Sequence, residues 1–338
     1  MTGVGPDSVR VSVVILAHNR KNAVKEGLDR LRALPVDEVI VVDNGTDGTA
    51  EMVRECGGSV RVIEPGKNLG IAGRNVGAAE ARGDLLLFLD DDAYPLPGAV
   101  EELVRFMDSY PRVAAAGGLV RDVDADERVL LESGFGTFDW WLRAGDDGPC
   151  PPEGFPAFFF PEGASMVRRS AFLDVGGFYE PFFFGAEGHE LATRFLAGGF
   201  DVRYVPAAVF HHKKDPAGRD SLEGALRRRI RNQVWYFYLR FPGGIAARRI
   251  VAYGLFDLTN ALYRRVPGAW LGGFRDSWRE RDLIRGDRSP VPRETLGRIE
   301  SQRGRMHRQL IGARLKEALA GRSGTKRRRA TGDPWSAR

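Results

Sequence analysis

The tightest constraint on this chain is an apolar run that stops on three carboxylates, Asp84-Leu-Leu-Leu-Phe-Leu-Asp-Asp-Asp-Ala93. Leu85 to Leu89, bounded by charge, reads as a strand buried on both faces, the condition of a parallel sheet covered by helices. The carboxyl end of such a strand is where open α/β sheets hold their ligands. Three adjacent like charges are costly unless a cation holds them, and a divalent ion carrying phosphate meets that need. The competing reading is a solvated acidic turn that leads through Pro95 and Pro97 into a helix.

The surrounding sequence repeats strand and helix signals. Val9 to Ala17 is a β-branched run, and Asn22 to Leu34 carries helical spacing through Val24, Leu28 and Leu31. Glu38 to Val42, Ser59 to Glu64 and Val113 to Val120 read as further strands. Asp47 to Cys56, Ala72 to Arg82 and Gly98 to Tyr110 read as the helices between them. Strands spaced by helices mean βαβ units and a mainly parallel sheet. Between about Asp122 and Pro161 the pattern dissolves into Gly, Pro, Asp and aromatics, a long loop of the functional or mobile kind. Order returns with a strand at Gly163 to Val167, a helix from Ser170, a Gly176-Gly177-Phe178 turn and a helix at Glu187 to Ala197. A strand at Val202 to Val205 then leads to His211-His212, and helices follow from Ser221.

Composition sets the remaining bounds. With 43% hydrophobic residues in 338, the chain can bury a large α/β core plus an appendage. Cys56 and Cys150 are too few for a disulfide framework. Met1 to Arg10 has no apolar stretch for a signal peptide, and the most apolar segment, Ile250 to Tyr263, is too short and polar to span a membrane. A cytoplasmic protein is expected, with contact at the inner face of a membrane left open. Charge divides unevenly: from Leu226 onward there are 27 Lys and Arg against 9 Asp and Glu, whereas residues 1–225 carry 23 basic and 36 acidic side chains. A basic arm on an acidic body suits an anionic partner, or it is a solvated helical appendage. The expected division is a catalytic domain at 1–225 (halves about 9–120 and 121–225), a basic helical extension at 226–321 and a disordered basic tail at 322–338.

Polar groups end successive strands. The first ends in Ala17-His18-Asn19-Arg20, the second in Asp43-Asn44-Gly45-Thr46-Asp47-Gly48-Thr49. The third is followed by Asn68-Leu69-Gly70 and Gly73-Arg74-Asn75-Val76-Gly77. On one sheet edge these could read a base, a ribose and phosphates, with Asp43 taking a ribose hydroxyl or base N–H and Arg74 pairing with phosphate. One Asp-Asn-Gly is usually only a turn, but the ordered recurrence of such polar groups at successive strand ends is specific. A dinucleotide oxidoreductase would want Gly-x-Gly-x-x-Gly after the first strand, where this chain has His18-Asn19-Arg20, and no Walker-type phosphate loop occurs.

From Val9 to Pro242 the chain resembles the inverting GT-A glycosyltransferases of family 2. The likeness rests on the strand ends just quoted, on Leu89-Asp90-Asp91-Asp92, on Gly176-Gly177-Phe178, on Glu187 with Glu190-Leu191 and Arg194, and on Val205-Pro206 leading to the histidine pair. It looks most similar to bacterial members that build rhamnose- or galactofuranose-containing glycans or decorate natural products. The resemblance implies Mn²⁺ or Mg²⁺ bridging the donor phosphates through Asp90 and Asp92, with Asp91 reaching toward the ribose or donor sugar. It also implies a late histidine in the metal shell, His212 before His211. Ala17, Asn19, Arg20, Asp43, Asn44, Asn68, Gly70, Arg74 and Asn75 would complete the donor site. A nucleotide sugar linked to UDP, dTDP or GDP and a hydroxyl acceptor are the implied substrates.

Inversion by direct displacement needs a base for the acceptor proton. The family has an acidic pair at a late helix start, and here its second member is replaced by Gly188 in Glu187-Gly188-His189-Glu190. Glu187 is the expected base, Glu190 the second candidate and His189 the third. Glu187 as a helix cap and Glu190 as a partner of Arg194 form the structural alternative. For the acceptor, Trp140, Trp141, Phe158 to Glu162, and Gly163 could form an aromatic shelf or could be core. The helix from Ala225 to Arg240 mixes cations with aromatics, which suits packing on the catalytic domain or lying in a membrane interface. Arg248 onward is the better place for membrane contact or oligomerisation. A sugar nucleotidyltransferase would carry a Gly-rich first loop, absent here, and a nucleic-acid-binding role leaves the acidic strand ends without purpose, so no nucleic acid is expected.

Overall fold

The computed structural model describes residues 9–137, 150–213 and 221–301. The chain enters as β1 (Val11–Ala17), α1 (Lys21–Leu31), β2 (Glu38–Asp43), α2 (Thr49–Cys56) and β3 (Val60–Ile63). It continues with α3 (Gly73–Glu80), β4 (Leu85–Asp90), β5 (Ala93–Pro95), α4 (Ala99–Ser109) and β6 (Val113–Val123). Then come β7 (Val129–Thr137), β8 (Phe155–Pro156), β9 (Ala164–Arg168), α5 (Arg169–Asp174), α6 (Glu187–Ala197) and β10 (Asp201–Lys213). Three long helices follow, α7 (Leu222–Arg240), α8 (Gly243–Tyr263) and α9 (Pro267–Arg279).

All strands join one sheet in the order β3-β2-β1-β4-β9-β6-β10-β5, with β7 paired to β6 and β8 to β10. The pairs β3·β2, β2·β1, β1·β4 and β6·β10 are parallel. Between β4 and β6 lies β9, antiparallel to both, so β4, β6 and β10 all run the same way. Their carboxyl ends therefore share one edge of the sheet, and the residues that enter β9 lie on that same edge. Every residue of β1 is buried, as expected for strands covered on two faces. One face packs Val13, Ile15 and Leu87 under α1, α2 and α4. The other packs Val14, Leu16 and Phe88 against Phe172, Phe178 and the aromatics of α7.

Two segments differ from the sequence reading. Part of the supposed loop after Asp122 is β7, hairpinned onto β6. Its Gly and Ser positions hide the alternation that marks a strand. The last strand does not stop at Val205 but runs to Lys213, with its register broken between Val205 and Val209. Pro206 lacks an N–H, so the ladder yields there and resumes. Beyond the break, His211 pairs with Tyr94 and His212 with Ala93, which draws the second histidine beside Asp92.

The first helix of the basic arm packs on the body. Trp235, Tyr236 and Phe237 are buried, and Trp235 Nε1 donates to Ser277 O at 2.9 Å. Its cations have internal partners: Arg227 with Asp276, Arg229 with Asp257, Arg231 with Glu280, and Arg240 with Glu190. Among the described residues no helix is long and apolar enough to cross a membrane. The tail from Arg322 lies outside the described residues.

Candidate active site

The site forms where β1, β2, β4 and β10 end. Asp90, Asp92 and His212 each offer one ligand atom, and these atoms lie within 4.8 Å of one another. His212 Nδ1 is 2.8 Å from Asp122 Oδ1 and its Nε2 is 3.1 Å from Asp92 Oδ1. A carboxylate on one ring nitrogen that aims the other inward is the usual support of a metal-binding histidine. Two carboxylates and an imidazole so disposed fit Mn²⁺ or Mg²⁺ chemistry, with Asp90 the open ligand at 46% side-chain exposure. His211 instead packs its ring edge-to-face on Tyr94 at 5.7 Å.

The protein's own cations hold the acidic triplet. Arg20 Nη1 donates to Asp91 at 2.6 Å and Asp92 at 3.0 Å. Arg74, 1% exposed, donates to Asp90 at 2.5 Å and to Leu89 O at 3.3 Å. Burial disfavours a charged His212, but the Asp92 charge and its bonds to Asp122 and Asp92 outweigh it and push the imidazolium up to about 10. Burial, only partly offset by Arg20, raises Asp91 to about 6. Arg74 thus differs from the expectation: it lies beneath Asp90 and spends its charge on the carboxylate, where a surface guanidinium would face phosphate.

The expected nucleotide residues gather beside this centre. Asp43, 6% exposed at the end of β2, accepts the Gly45 N–H at 2.8 Å, and burial raises its pKa. Asn44 Nδ2 donates to Gly70 O at 3.1 Å and its Oδ1 accepts from Leu69 N at 3.3 Å, tying the β2 end to the 68–70 turn. Asn68 Oδ1 accepts from Gly70 N at 2.8 Å, and Gly70 has φ +57 with Phe183 packed where a side chain would stand. Asn19, at φ 54, accepts from Thr46 N at 2.8 Å. Ala17 is fully buried, and its carbonyl accepts from Asn44 N at 2.8 Å. Asn75 bonds Phe178 backbone groups through both ends of its amide, which fastens α3 to the Gly-Gly-Phe turn.

The head of α6 faces this centre from the other half. Glu187 is 7% exposed, and its Oε2 has no hydrogen-bond partner. Glu190, the second base candidate, is fully buried; Arg194 Nε bonds its Oε1 at 2.8 Å and Arg240 Nε bonds the same oxygen at 2.7 Å. Those ion pairs correct its assignment to a structural one. His189 stacks on Phe159 at 4.6 Å. Phe158, Phe159 and Phe160 are 4%, 4% and 1% exposed, which makes them core and not a shelf. Gly163 sits under the Asp90 carboxylate, which fills the space of a Cβ. Glu162 Oε1 accepts the Gly188 N–H at 2.5 Å. Trp140 and Trp141 lie outside the described residues.

Arg231-Asn232 follows the histidine pair as the family resemblance implies, but the role of Asn232 was not legible in the sequence. It is fully buried on α7, and its Nδ2 lies 2.8 Å from Phe182 O and 2.7 Å from both Phe184 O and Gly185 O. The loop so clamped has positive φ at Phe183 (62) and Ala186 (68), conformations that non-glycine residues adopt only when held. An asparagine in the middle of an aromatic helix is the local signal that points to such a clamp.

A "Glycosyl transferase family 2" model matches residues 12–176. The N-acetylglucosaminyl-diphospho-decaprenol L-rhamnosyltransferase of Mycobacterium tuberculosis is 31% identical over 212 residues, covering 54% of this chain and 68% of that protein. The chain belongs to glycosyl transferase family 2. A second family relative, the pre-mycofactocin glycosyltransferase of the same organism, is 32% identical over 220 residues, 64% of this chain. The match spans only 45% of that relative's length. Among solved structures, this family 2 chain is similar to a mannosyltransferase from Pyrobaculum calidifontis, solved with GDP-Man and Mn²⁺ (TM-score 0.56, 18% identity, 81% of this chain and 88% of that one). It is also similar to residues 1–349 of S. aureus TarS with UDP-GlcNAc (TM-score 0.56, 18% identity, 79% and 80%). The fold is the GT-A architecture expected from the sequence, with added C-terminal helices.

Proposed function

We propose that the chain transfers a glycosyl group from a nucleoside-diphosphate sugar to a hydroxyl, with inversion at the anomeric carbon. The observation that carries this reading is the Asp90, Asp92 and His212 group at the end of β4, beside the Asp43 and Asn44 strand end. These three residues would hold a divalent cation, which neutralises the leaving diphosphate. Asp43 would take a ribose hydroxyl or base N–H, and Asp91 would reach toward the ribose or donor sugar. Glu187 would take the acceptor proton, since it is the acid at the head of α6 without a committed ion pair. The relatives' names support a sugar, lipid-linked or natural-product hydroxyl as acceptor class. Calorimetry with UDP-, dTDP- and GDP-sugars, in Mn²⁺ and in EDTA, tests the reading. Binding as tight in EDTA as in Mn²⁺ would refute the metal-assisted form.

A peripheral membrane contact is part of the proposal. Val251, Leu255, Leu262 and Tyr263 of α8 and Leu271 and Trp278 of α9 are 57–79% exposed, near Arg248, Arg265 and Arg275. Large apolar side chains interspersed with cations suit an anionic lipid surface. Flotation with anionic vesicles at low and physiological salt checks it, and failure to float at either salt would overturn it.

A further inference from the structure

Helix α6 begins without a cap of its own. Its N-cap residue, Ala186, stands in the left-handed region at φ 68 and has no side-chain acceptor to offer. Glu190 N–H reaches Ala186 O at 3.1 Å, but the N–H groups before it fall outside the helical ladder. Glu162 supplies the missing acceptor from another element: its Oε1 takes the Gly188 N–H at 2.5 Å. A carboxylate there also faces the positive end of the helix. Space for it exists because residue 188 is glycine. A Cβ would overlap Glu162 Oε1 and stand 2.5 Å from Phe160 O, so the carboxylate occupies the place of a side chain at 188.

Glu162 is itself fixed to the end of β4. Asp90 N donates to Gly163 O at 3.3 Å, and Ala164, the first residue of β9, pairs with Leu89. On the other side Pro161 packs on Gly117 of β6, its Cδ 2.7 Å from where a Cβ would stand. A short, well-anchored link therefore runs from the end of β4 to the first turn of α6. Glu187 lies one residue before Gly188, and its carboxyl leans on the backbone N–H groups of Glu187 and Gly185, with Oε2 unpartnered. Its position follows the backbone of the helix head. Asn232 holds that backbone up to Gly185, and Glu162 holds it at Gly188, so the two clamps bracket Glu187.

We propose that Glu162 is a positioning residue for Glu187: by capping α6 from outside the helix, it sets where the Glu187 carboxyl stands relative to the end of β4. The inference rests on the glycosyl-transfer reading for what Glu187 does. Glu162 acts through the Gly188 N–H and does not touch the acceptor. The cap needs an oxygen at this place and not a charge, so glutamine serves where alanine fails.

Hydrogen exchange of the assigned Gly188 N–H, followed by NMR on the full chain labelled with ¹⁵N-glycine, reads the cap and needs no substrate. Exchange should be slow in the wild type and in Glu162→Gln, and at least about tenfold faster in Glu162→Ala. In parallel, nucleoside diphosphate release from UDP-, dTDP- and GDP-sugars with Mn²⁺ gives turnover, and calorimetry with the free nucleoside diphosphates gives affinity. Glu162→Ala should lose roughly 10² in turnover, the cost of a reacting group misplaced by about 1 Å. Its nucleotide affinity, and the turnover of Glu162→Gln, should stay within about threefold of wild type. Gly188→Ala, which expels the carboxylate while leaving Glu162 in the chain, should lose turnover as Glu162→Ala does. Three results would overturn the proposal. Unchanged exchange in Glu162→Ala would remove the cap, and a Glu162→Gln enzyme as slow as Glu162→Ala would show that the charge itself acts on substrate. A turnover loss matched by an equal loss of nucleotide affinity would mark a general loss of structure. A wild type that binds no nucleoside diphosphate refutes the glycosyl-transfer reading, while the exchange result still judges the cap.

Discussion

Replacing Glu190 by glutamine separates a structural acid from a catalytic one. Glu190 is fully buried between Arg194 and Arg240, whose side chains are only 15% and 9% exposed. Arg194 also donates to the carbonyls of Val175 and Gly177, so the pair ties α6 to the Gly-Gly-Phe turn as well as to α7. Removing one partner of a buried ion pair costs about 3–5 kcal/mol, because the remaining charge stays buried without compensation. Glutamine keeps the shape and one acceptor, which places the expected loss near 3 kcal/mol, with Glu190→Ala nearer 5. At roughly 2–4 °C per kcal/mol for a domain of this size, the melting midpoint should fall by about 6–20 °C across the two variants. Donor affinity below that midpoint should stay within a few-fold of wild type. Differential scanning calorimetry beside a donor titration measures both. A Glu190→Gln protein that melts with the wild type yet has lost turnover would show that the ion pairs are incidental and that Glu190 is the base.

Asp92→Asn should abolish Mn²⁺-dependent donor binding and, because it removes the buried partner of both Arg20 and His212, should also lower the melting midpoint by roughly 6–12 °C; calorimetry with and without the ion reads the first and a thermal melt the second. Asp43→Ala should weaken the donor by about 1–3 kcal/mol through the lost buried hydrogen bond, and an unchanged dissociation constant would remove Asp43 from the nucleotide site. Asn232→Ala removes the amide that holds the Phe184 and Gly185 carbonyls and leaves Phe182 O to Arg231, which relaxes the positive-φ loop, so turnover should drop at least tenfold with donor affinity held, which steady-state kinetics would resolve. Glu187, raised to about 8 by burial and by Glu162, contributes stability that is full below its unfolded value of about 4.5 and is lost as pH rises through about 8. The melting advantage of Glu187→Gln over wild type should therefore grow between pH 5 and 8 by about 3–4 kcal/mol, roughly 7–14 °C.

The elements that hold the nucleotide half were legible in the sequence because their signals are local. A run such as Val11–Ala17 or Leu85–Asp90 declares a doubly covered strand by composition alone, and parallel pairing then brings Ala17, Asp43 and Asp90 to one edge. Asp90 and Asp92 were marked by that logic, and His212 by the family resemblance. Tertiary structure decided what depends on pairing across the chain. The break at Pro206 and the pairing with β5 put His212, and not His211, beside Asp90 and Asp92. Arg74 looks like a phosphate ligand until β4 places Asp90 on it, and Glu190 looks like a base until α7 delivers Arg240 from 50 residues away. Glu162 was read from the sequence with the acceptor shelf, and only the antiparallel insertion of β9 between β4 and β6 carries it to the head of α6, where the Gly188 N–H holds it. Periodicity and strand-end chemistry act over a few residues, whereas the charge balance of a buried site is set by whatever the strand order brings within a few ångströms.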